Sequence, residues 1–275
     1  MWLVELFHSY LPPSIVVAVG PWQLHWYGLM MAGGIAAGYI VTRFSWRKRG
    51  WQVQPLDELM ILLVISGLIG ARLLDVFVYE WWYFKTHLVD ILYVWQGGLA
   101  WHGALLGAVP VLWWWARRHH YVFWEIIDSF VPGLALGQAL GRWGNYFNQE
   151  LFGLPTSLPW GIPIAESARP IDFAVATYFH PVFLYEFIGL LLMAFLLWRL
   201  GQKLKINGRL LAVYLVASGL LRFALEFLRL DEQNIFFGWR AGSWVAMLTI
   251  LVGVWLYWFR LKRSSGSLTA KHSPE

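Results

Sequence analysis

The chain has 275 residues and no cysteine. Without cysteine there is no disulfide framework, no thiolate metal site and no cysteine nucleophile of the chain's own, so any thiol chemistry must use a thiol that arrives with a substrate. Charge is scarce as well: 13% of residues are Asp, Glu, Lys or Arg, against about 25% in a soluble domain. That scarcity, with a hydrophobic content of 59%, excludes a soluble globular fold. There is no G-x-S-x-G elbow, no H-E-x-x-H zinc helix and no Walker loop, which removes the usual support for hydrolase and ATPase chemistry. No metal site, no cofactor and no nucleic-acid partner is expected. No Lys or Arg precedes the first long apolar run, so a cleavable signal peptide is not expected either.

What is present is a recurrence of apolar runs, each long enough to cross a bilayer. They predict an all-α, polytopic membrane protein with seven transmembrane helices. The spans run over Leu24–Val41, Leu59–Val78, Gly98–Trp115, Phe123–Leu140, Pro181–Trp198, Leu210–Leu228 and Ser243–Phe259. Helices of a bundle share packing surfaces, so residues 1–263 are expected to form one domain. A small external cap over about 142–180, rich in Pro and Gly, would lie between helices four and five, and a disordered polar tail would occupy 264–275. The Pro12-Pro13 pair breaks the opening stretch, which reads as a short interfacial helix. The 20 Trp and 12 Tyr suit interfacial belts.

Basic residues alternate between connections. One set holds Arg43, Arg47, Lys48, Arg49, Arg117, Arg118, Arg199, Lys203, Lys205, Arg209, Arg260, Lys262, Arg263 and Lys271. The other holds only Lys85, Arg142, Arg169, Arg229 and Arg240. The positive-inside rule then puts the N-terminus outside and the C-terminus in the cytoplasm.

Ionisable groups within a bilayer are expensive, so each needs a reason. With this orientation, Arg222 lies roughly 20 Å above the cytoplasmic end of the sixth span. Glu226 and Arg229 follow on the same helical face. Arg72 and Asp75 fall in the outer half of the second span, His102 about one turn into the third, and Glu186 a turn or two into the fifth. Arg142 closes the fourth and Tyr27 starts the first. Most of these polar residues converge at the depth of the outer leaflet, which predicts a polar cavity there. Structural readings stand beside the functional one. Arg72 and Asp75, at i and i+3, form a possible ion pair. Arg222, Glu226 and Arg229 could be a packing network. His102 lies beside Gly103 and Gly107, whose small-xxx-small spacing is explained by close helix packing alone, and His180 before Pro181 can simply start a helix.

The densest polarity is in Gly141-Arg142-Trp143-Gly144-Asn145-Tyr146-Phe147-Asn148-Gln149-Glu150-Leu151-Phe152-Gly153. Ending an apolar run needs only a cap and a turn. An arginine between glycines, followed by amides and a carboxylate, suits an anion instead: Arg offers a planar fork of donors matched to phosphate, and Asn and Gln can donate or accept around it.

This stretch resembles the signature of the bacterial prolipoprotein diacylglyceryl transferases. So do Tyr27-Gly28, His102-Gly103, the run His180-Pro181-Val182-Phe183-Leu184-Tyr185-Glu186, and the run from Arg222 to Arg229. The resemblance covers nearly the whole chain. Three positions depart from the usual pattern: Ala104, Phe183, and Ser218 where an aromatic Tyr is common. The last departure puts a direct catalytic role for that position in doubt.

The resemblance implies a multi-pass enzyme of the bacterial cytoplasmic (inner) membrane with its active site toward the outer leaflet. Members move diacylglyceryl from phosphatidylglycerol to the lipobox cysteine of a prolipoprotein signal peptide, forming a thioether and releasing glycerol phosphate. This is the first step of lipoprotein maturation, and no oligomer is required for it. The residues implied in catalysis are His102, Arg142 and Arg222. Those implied in substrate binding are Tyr27, Arg72, Asn145, Glu150, Gly153, Glu186 and Glu226. A lipid-headgroup transporter or flippase with an outer-leaflet anion site is the alternative. It would be marked by internal repeats and by charges spread through the bilayer; the sequence shows no repeat, and the charged groups within its spans cluster at outer-leaflet depth except for Asp128 and Glu125 near the cytoplasmic end of the fourth span.

Overall fold

In hydrocarbon, a backbone can satisfy its polar groups only by internal pairing, so apolar runs of this length fold as helices. A computed structural model of the protein describes residues 8–20, 22–203, 207–230 and 234–269. The described residues are mostly helical. Seven helices of eighteen residues or more dominate them: α1 Trp26–Lys48, α2 Gln54–Leu74, α3 Trp101–Arg118, α4 Phe123–Phe147, α5 Val182–Lys203, α6 Arg209–Glu226 and α7 Ala241–Thr269. Three segments are long and apolar enough to cross a membrane by length and composition: Gln54–Tyr79, Val182–Gln202 and Ala241–Phe259. Charge sets α6 apart from these, because its eighteen residues include Arg209, Arg222 and Glu226.

Several boundaries differ from the sequence reading. Helix α1 begins only after a hairpin of β1 (Ile15–Val19) and β2 (Trp22–His25), so Leu24 and His25 are strand. The interfacial helix expected before Pro12 lies mostly outside the described residues. Helix α4 runs seven residues past Leu140, which makes Arg142 and Asn145 helical and starts the irregular connection at Asn148. The extension follows from packing: Trp143, Tyr146 and Phe147 carry the apolar face of α4 onto a second core with Phe152, Ile162, Ile164, Phe179 and Phe183. Helix α7 continues through Thr269, so the tail expected to be disordered starts as helix; residues 270–275 lie outside the described residues.

The chain divides into two compact units, Arg43–Ile126 and the remainder, Met1–Thr42 with Ile127–Glu275. In the larger unit, α4, α5 and α6 enclose a core of Val131, Ala135, Ala139, Leu190, Met193, Ala194, Leu197, Leu210 and Tyr214. Helices α1 and α4 meet through glycines. A Cβ on Gly34 would stand 2.7 Å from the Gly137 carbonyl, and one on Gly38 2.9 Å from that of Gly133. Asp128, fully buried on α4, caps α6 from outside that helix. Its Oδ2 accepts from the Gly208 amide at 2.7 Å and its Oδ1 from the Leu211 amide at 2.9 Å. These donors have no partner within their own helix, and a carboxylate is favoured at a helix N-terminus. Asp128 is therefore an anchor for the helix that carries Arg222.

In the smaller unit, α2 packs on α3 through Gly70 against Gly103 and Ser66 against Gly107, too closely for any Cβ at either α3 glycine. The small-residue spacing beside His102 is thus explained by packing. Trp46, Trp51, Trp115 and Tyr121 form an aromatic cluster in the same unit.

Candidate active site

The end of α4 supplies the first side chains. Arg142 and Asn145 lie one turn apart, and Arg142 Nη1 donates to Asn145 Oδ1 at 3.2 Å. Asn145 Nδ2 donates to Glu150 Oε1 at 2.8 Å, which ties the helix end to the chain leaving it. Two non-glycine residues at that exit, Gln149 and Leu151, have left-handed backbone with φ of 53° and 57°. Gln149 secures the turn from both ends of its amide: Nε2 donates to the Pro12 carbonyl at 3.3 Å, and Oε1 accepts from the Ala165 amide at 2.7 Å. The Tyr27 ring lies over Gly144, where a Cβ would come within 2.7 Å of it. Glycine at this position is the condition for α1 to bring Tyr27 against the signature helix.

Helices α5 and α6 supply the carboxylates. Glu186 is buried, and three guanidiniums surround it. Its Oε2 is 2.7 Å from Arg142 Nε; its Oε1 is 3.0 Å from Arg229 Nη1 and 3.7 Å from Arg222 Nη1. Glu226 is buried as well and joins two: Arg222 Nη2 and Arg240 Nε, each at 2.9 Å. Arg240 also donates to the Arg229 carbonyl. The result is a continuous network from α4 through α5 and α6 to the short strand Trp239–Arg240, in which four guanidiniums share two buried carboxylates. Exposure divides the partners. The Glu186 and Glu226 side chains are 6% and 1% exposed, whereas those of Arg142 and Arg222 are 30% and 31% exposed. The carboxylates form a floor; Arg142 and Arg222 edge its exposed side, together with Arg240, whose side chain is 27% exposed, while Arg229 is buried with the carboxylates.

Gly153 closes the structure from the cap side. Its amide donates to the His180 carbonyl at 2.9 Å, and it pairs with Arg229 as an isolated bridge. A Cβ there would fall 2.7 Å from the Leu228 carbonyl. Gly153 thus permits the cap to lie directly on the chain after α6. His180 Nδ1 is 3.1 Å from the Tyr185 hydroxyl, which accepts from Trp160 Nε1 at 2.9 Å.

Arg72 and His102 belong to the smaller unit. Arg72 is 7% exposed, and backbone carbonyls take its donors. Nε donates to Ile91 at 3.0 Å, Nη1 to Gly97 at 2.9 Å and Gly98 at 3.1 Å, and Nη2 to Asp90 at 2.5 Å. Asp75 lies at 3.5 Å, and the guanidinium sits over the Phe84 ring. These contacts give Arg72 a local role, to pin the connection between α2 and α3. His102 is exposed at the second position of α3.

Of the expected residues, Tyr27, Arg142, Asn145, Glu150, Gly153, Glu186, Arg222 and Glu226 therefore fall in one unit, most of them in direct contact. The sequence reading did not place Arg240 in the site. A signal was available: an arginine immediately before a helix opposes the helix dipole and so calls for an anionic partner.

A sequence model described as prolipoprotein diacylglyceryl transferase matches residues 14–259. The chain belongs to the prolipoprotein diacylglyceryl transferase family. Its curated relatives include a phosphatidylglycerol–prolipoprotein diacylglyceryl transferase of Synechocystis sp., 37% identical over 258 residues, covering 90% of this chain and 90% of that protein. Another, of Synechococcus elongatus, is 38% identical over 263 residues, with 92% and 90% covered. The second such transferase of Streptomyces coelicolor is 39% identical over 253 residues, with 90% and 79% covered. For this diacylglyceryl transferase family member, the matched region contains the whole arginine–carboxylate network.

Proposed function

We propose that the chain transfers diacylglyceryl from phosphatidylglycerol to the lipobox cysteine of a prolipoprotein signal peptide, at the outer leaflet of the bacterial cytoplasmic membrane. In this reading α1 to α7 are the seven spans, the N-terminus is outside and the C-terminus cytoplasmic; the alternation of basic connections supports that topology. The observation that carries the reading is the half-open pair Arg142 and Arg222, backed by buried Glu186 and Glu226, in a chain of this family.

The chemistry follows from charge. The cysteine sulfur attacks the glyceryl carbon that bears the phosphodiester oxygen. A carbon–sulfur bond forms, the carbon–oxygen bond breaks, and its electron pair leaves with glycerol phosphate. The phosphate passes from about −1 toward −2, so donors already aimed at it stabilise the transition state more than the ground state. Arg142 and Arg222 take that role. Their carboxylate partners hold the guanidiniums in place without themselves being open to the ligand, and Asn145 supports Arg142. Tyr27, Glu150 and Gly153 shape the headgroup site. The free thiol is only a few per cent ionised at neutral pH. His102 is the base that takes its proton, on the strength of its motif match and the suitability of a neutral imidazole.

The test mixes purified protein, phosphatidylglycerol and a signal peptide with a lipobox cysteine, and weighs the peptide. A diacylglyceryl mass gain that is lost when the cysteine becomes serine is expected. No gain with any phosphatidylglycerol overturns the reading. His102→Gln should stop transfer while phosphatidylglycerol still binds; lost binding would make His102 a headgroup ligand instead of a base.

A further inference from the structure

An apolar groove of about 310 Å³ runs along the α5–α6 seam of the larger unit. Gly189, Met193 and Leu197 line it from α5, and Val213, Ala217 and Leu221 from α6. One end of it adjoins the arginine–carboxylate network: Gly189 is one turn beyond Glu186, and Leu221 immediately precedes Arg222. Leu192 and Leu196 on its α5 rim are 59% and 64% exposed, so the groove is open at the side rather than enclosed.

We infer that this groove is the seat of one acyl chain of the lipid whose phosphate meets Arg142 and Arg222. The inference rests on the transfer reading for the headgroup and adds where the tail lies. Continuity is the first argument, since the apolar channel begins where the charged network ends, the order of parts in a phospholipid. Length is the second. From Gly189 to Leu200 the groove follows eleven residues of helix, about 16 Å. The hydrocarbon of a bilayer is about 30 Å thick, so the chains of one leaflet reach about 15 Å. Chemistry is the third, because no charged side chain lines the groove. A seated chain fixes the glyceryl carbon relative to the arginines, which headgroup contacts alone would leave free to swing.

Two measurements test this. Val213 lies two turns from Leu221, about 12 Å down the groove, beyond the reach of a short chain. Val213→Phe fills that part. Its kcat/KM on dioleoyl phosphatidylglycerol should fall about tenfold, the loss of roughly two buried methylenes. On dihexanoyl phosphatidylglycerol it should stay within about threefold, the usual reach of a substitution off the binding path. Equal loss on both lipids, or none on either, overturns the groove assignment. The second measurement needs no turnover. Wild-type protein in lipid nanodiscs is irradiated with phosphatidylglycerol carrying a diazirine on its acyl chain. Labelling should concentrate on α5 and α6 peptides around Leu192, Leu196 and Val213, and unlabelled phosphatidylglycerol should compete better than phosphatidylcholine. Labelling spread evenly onto lipid-exposed Leu248 and Leu251 of α7 means bulk lipid only and overturns it. If the peptide assay shows no thioether while the labelling is specific, the transfer reading fails and the groove stands as a lipid site.

Discussion

In the connection after α2, one buried guanidinium is surrounded by backbone carbonyls; at the end of α4 and along α6, two half-exposed guanidiniums are backed by buried carboxylates. Both arrangements contain arginine beside a nearby acid, and both satisfy the rule that a charge in or near a bilayer must be paired. What differs is what remains for a ligand. Carbonyls take the Arg72 donors one by one and leave it 7% exposed, which makes it a rivet for local backbone. Arg142 and Arg222 share carboxylates below them and keep about a third of their side-chain surface open. An arginine's function is set less by its depth than by which of its donors the fold leaves facing outward.

Arg142→Lys tests the open side of that comparison and carries the largest expected effect. Lysine keeps the charge but loses the fork that reaches Glu186 and Asn145 together while facing a phosphate. The rate of transfer should fall about 10²- to 10³-fold, the usual consequence of removing one aimed donor, with unchanged thermal unfolding. Turnover near that of wild type would mean that a point charge suffices. Glu186→Gln tests the floor. It removes the charge that Arg142, Arg222 and the 4% exposed Arg229 share, and breaking a buried ion pair destabilises by about 3 kcal/mol. Lowered thermal stability together with lowered activity is the expected pair; lost activity at full stability would instead put Glu186 in contact with substrate.

The two sides of the comparison were not equally legible in the sequence. Arg222 and Glu226 could be paired because i and i+4 is a helical relation, and their joining to Arg142 and Glu186 could be expected from converging depth. Arg72 and Asp75 gave the same kind of signal, at i and i+3, yet the partners that dominate Arg72 are carbonyls of Asp90, Ile91, Gly97 and Gly98. Backbone acceptors are the same for every residue type and leave no trace in sequence. Arg240 was hidden for another reason: its acid, Glu226, is on a different element, and only the turn between α6 and α7 brings them together. The end of α4 was misplaced because the apolar run stops at Leu140 and the polar stretch after it reads as a connection. At Gly144 the glycine instead makes room for Tyr27 within a continuing helix.

Arg72→Gln tests the closed side. A shorter amide cannot span Asp90, Ile91 and the two glycines at once, so these carbonyls lose charge-assisted hydrogen bonds at roughly 1–3 kcal/mol of local stability. Hydrogen exchange should quicken for amides between Asp90 and Gly98 while the core of α4, α5 and α6 keeps its protection. Transfer should fall far less than in Arg142→Lys. A fall of equal size would place Arg72 with the ligand-facing arginines and dissolve the contrast.

The smallest effect sharpens the same loop from its other contact. Asp90 accepts through its carbonyl from Arg72 and from the Tyr93 amide, and through its Oδ2 from the Tyr83 hydroxyl at 2.5 Å. That hydrogen bond holds the Tyr83 phenol above its ordinary value of 10, with desolvation and the Asp90 charge adding to the shift. The bond needs the phenol protonated. Its contribution is therefore complete below the unfolded phenol's pKa and is lost as pH rises through the higher folded one. Tyr83→Phe should leave activity at neutral pH unchanged, since Arg72 still pins the loop. In a difference titration of phenolate absorbance between wild type and Tyr83→Phe, the missing tyrosine should ionise above pH 10. Ionisation below that value would mean the Tyr83–Asp90 bond does not persist in the membrane-bound protein, and would leave the fastening of Asp90 to α2 to Arg72.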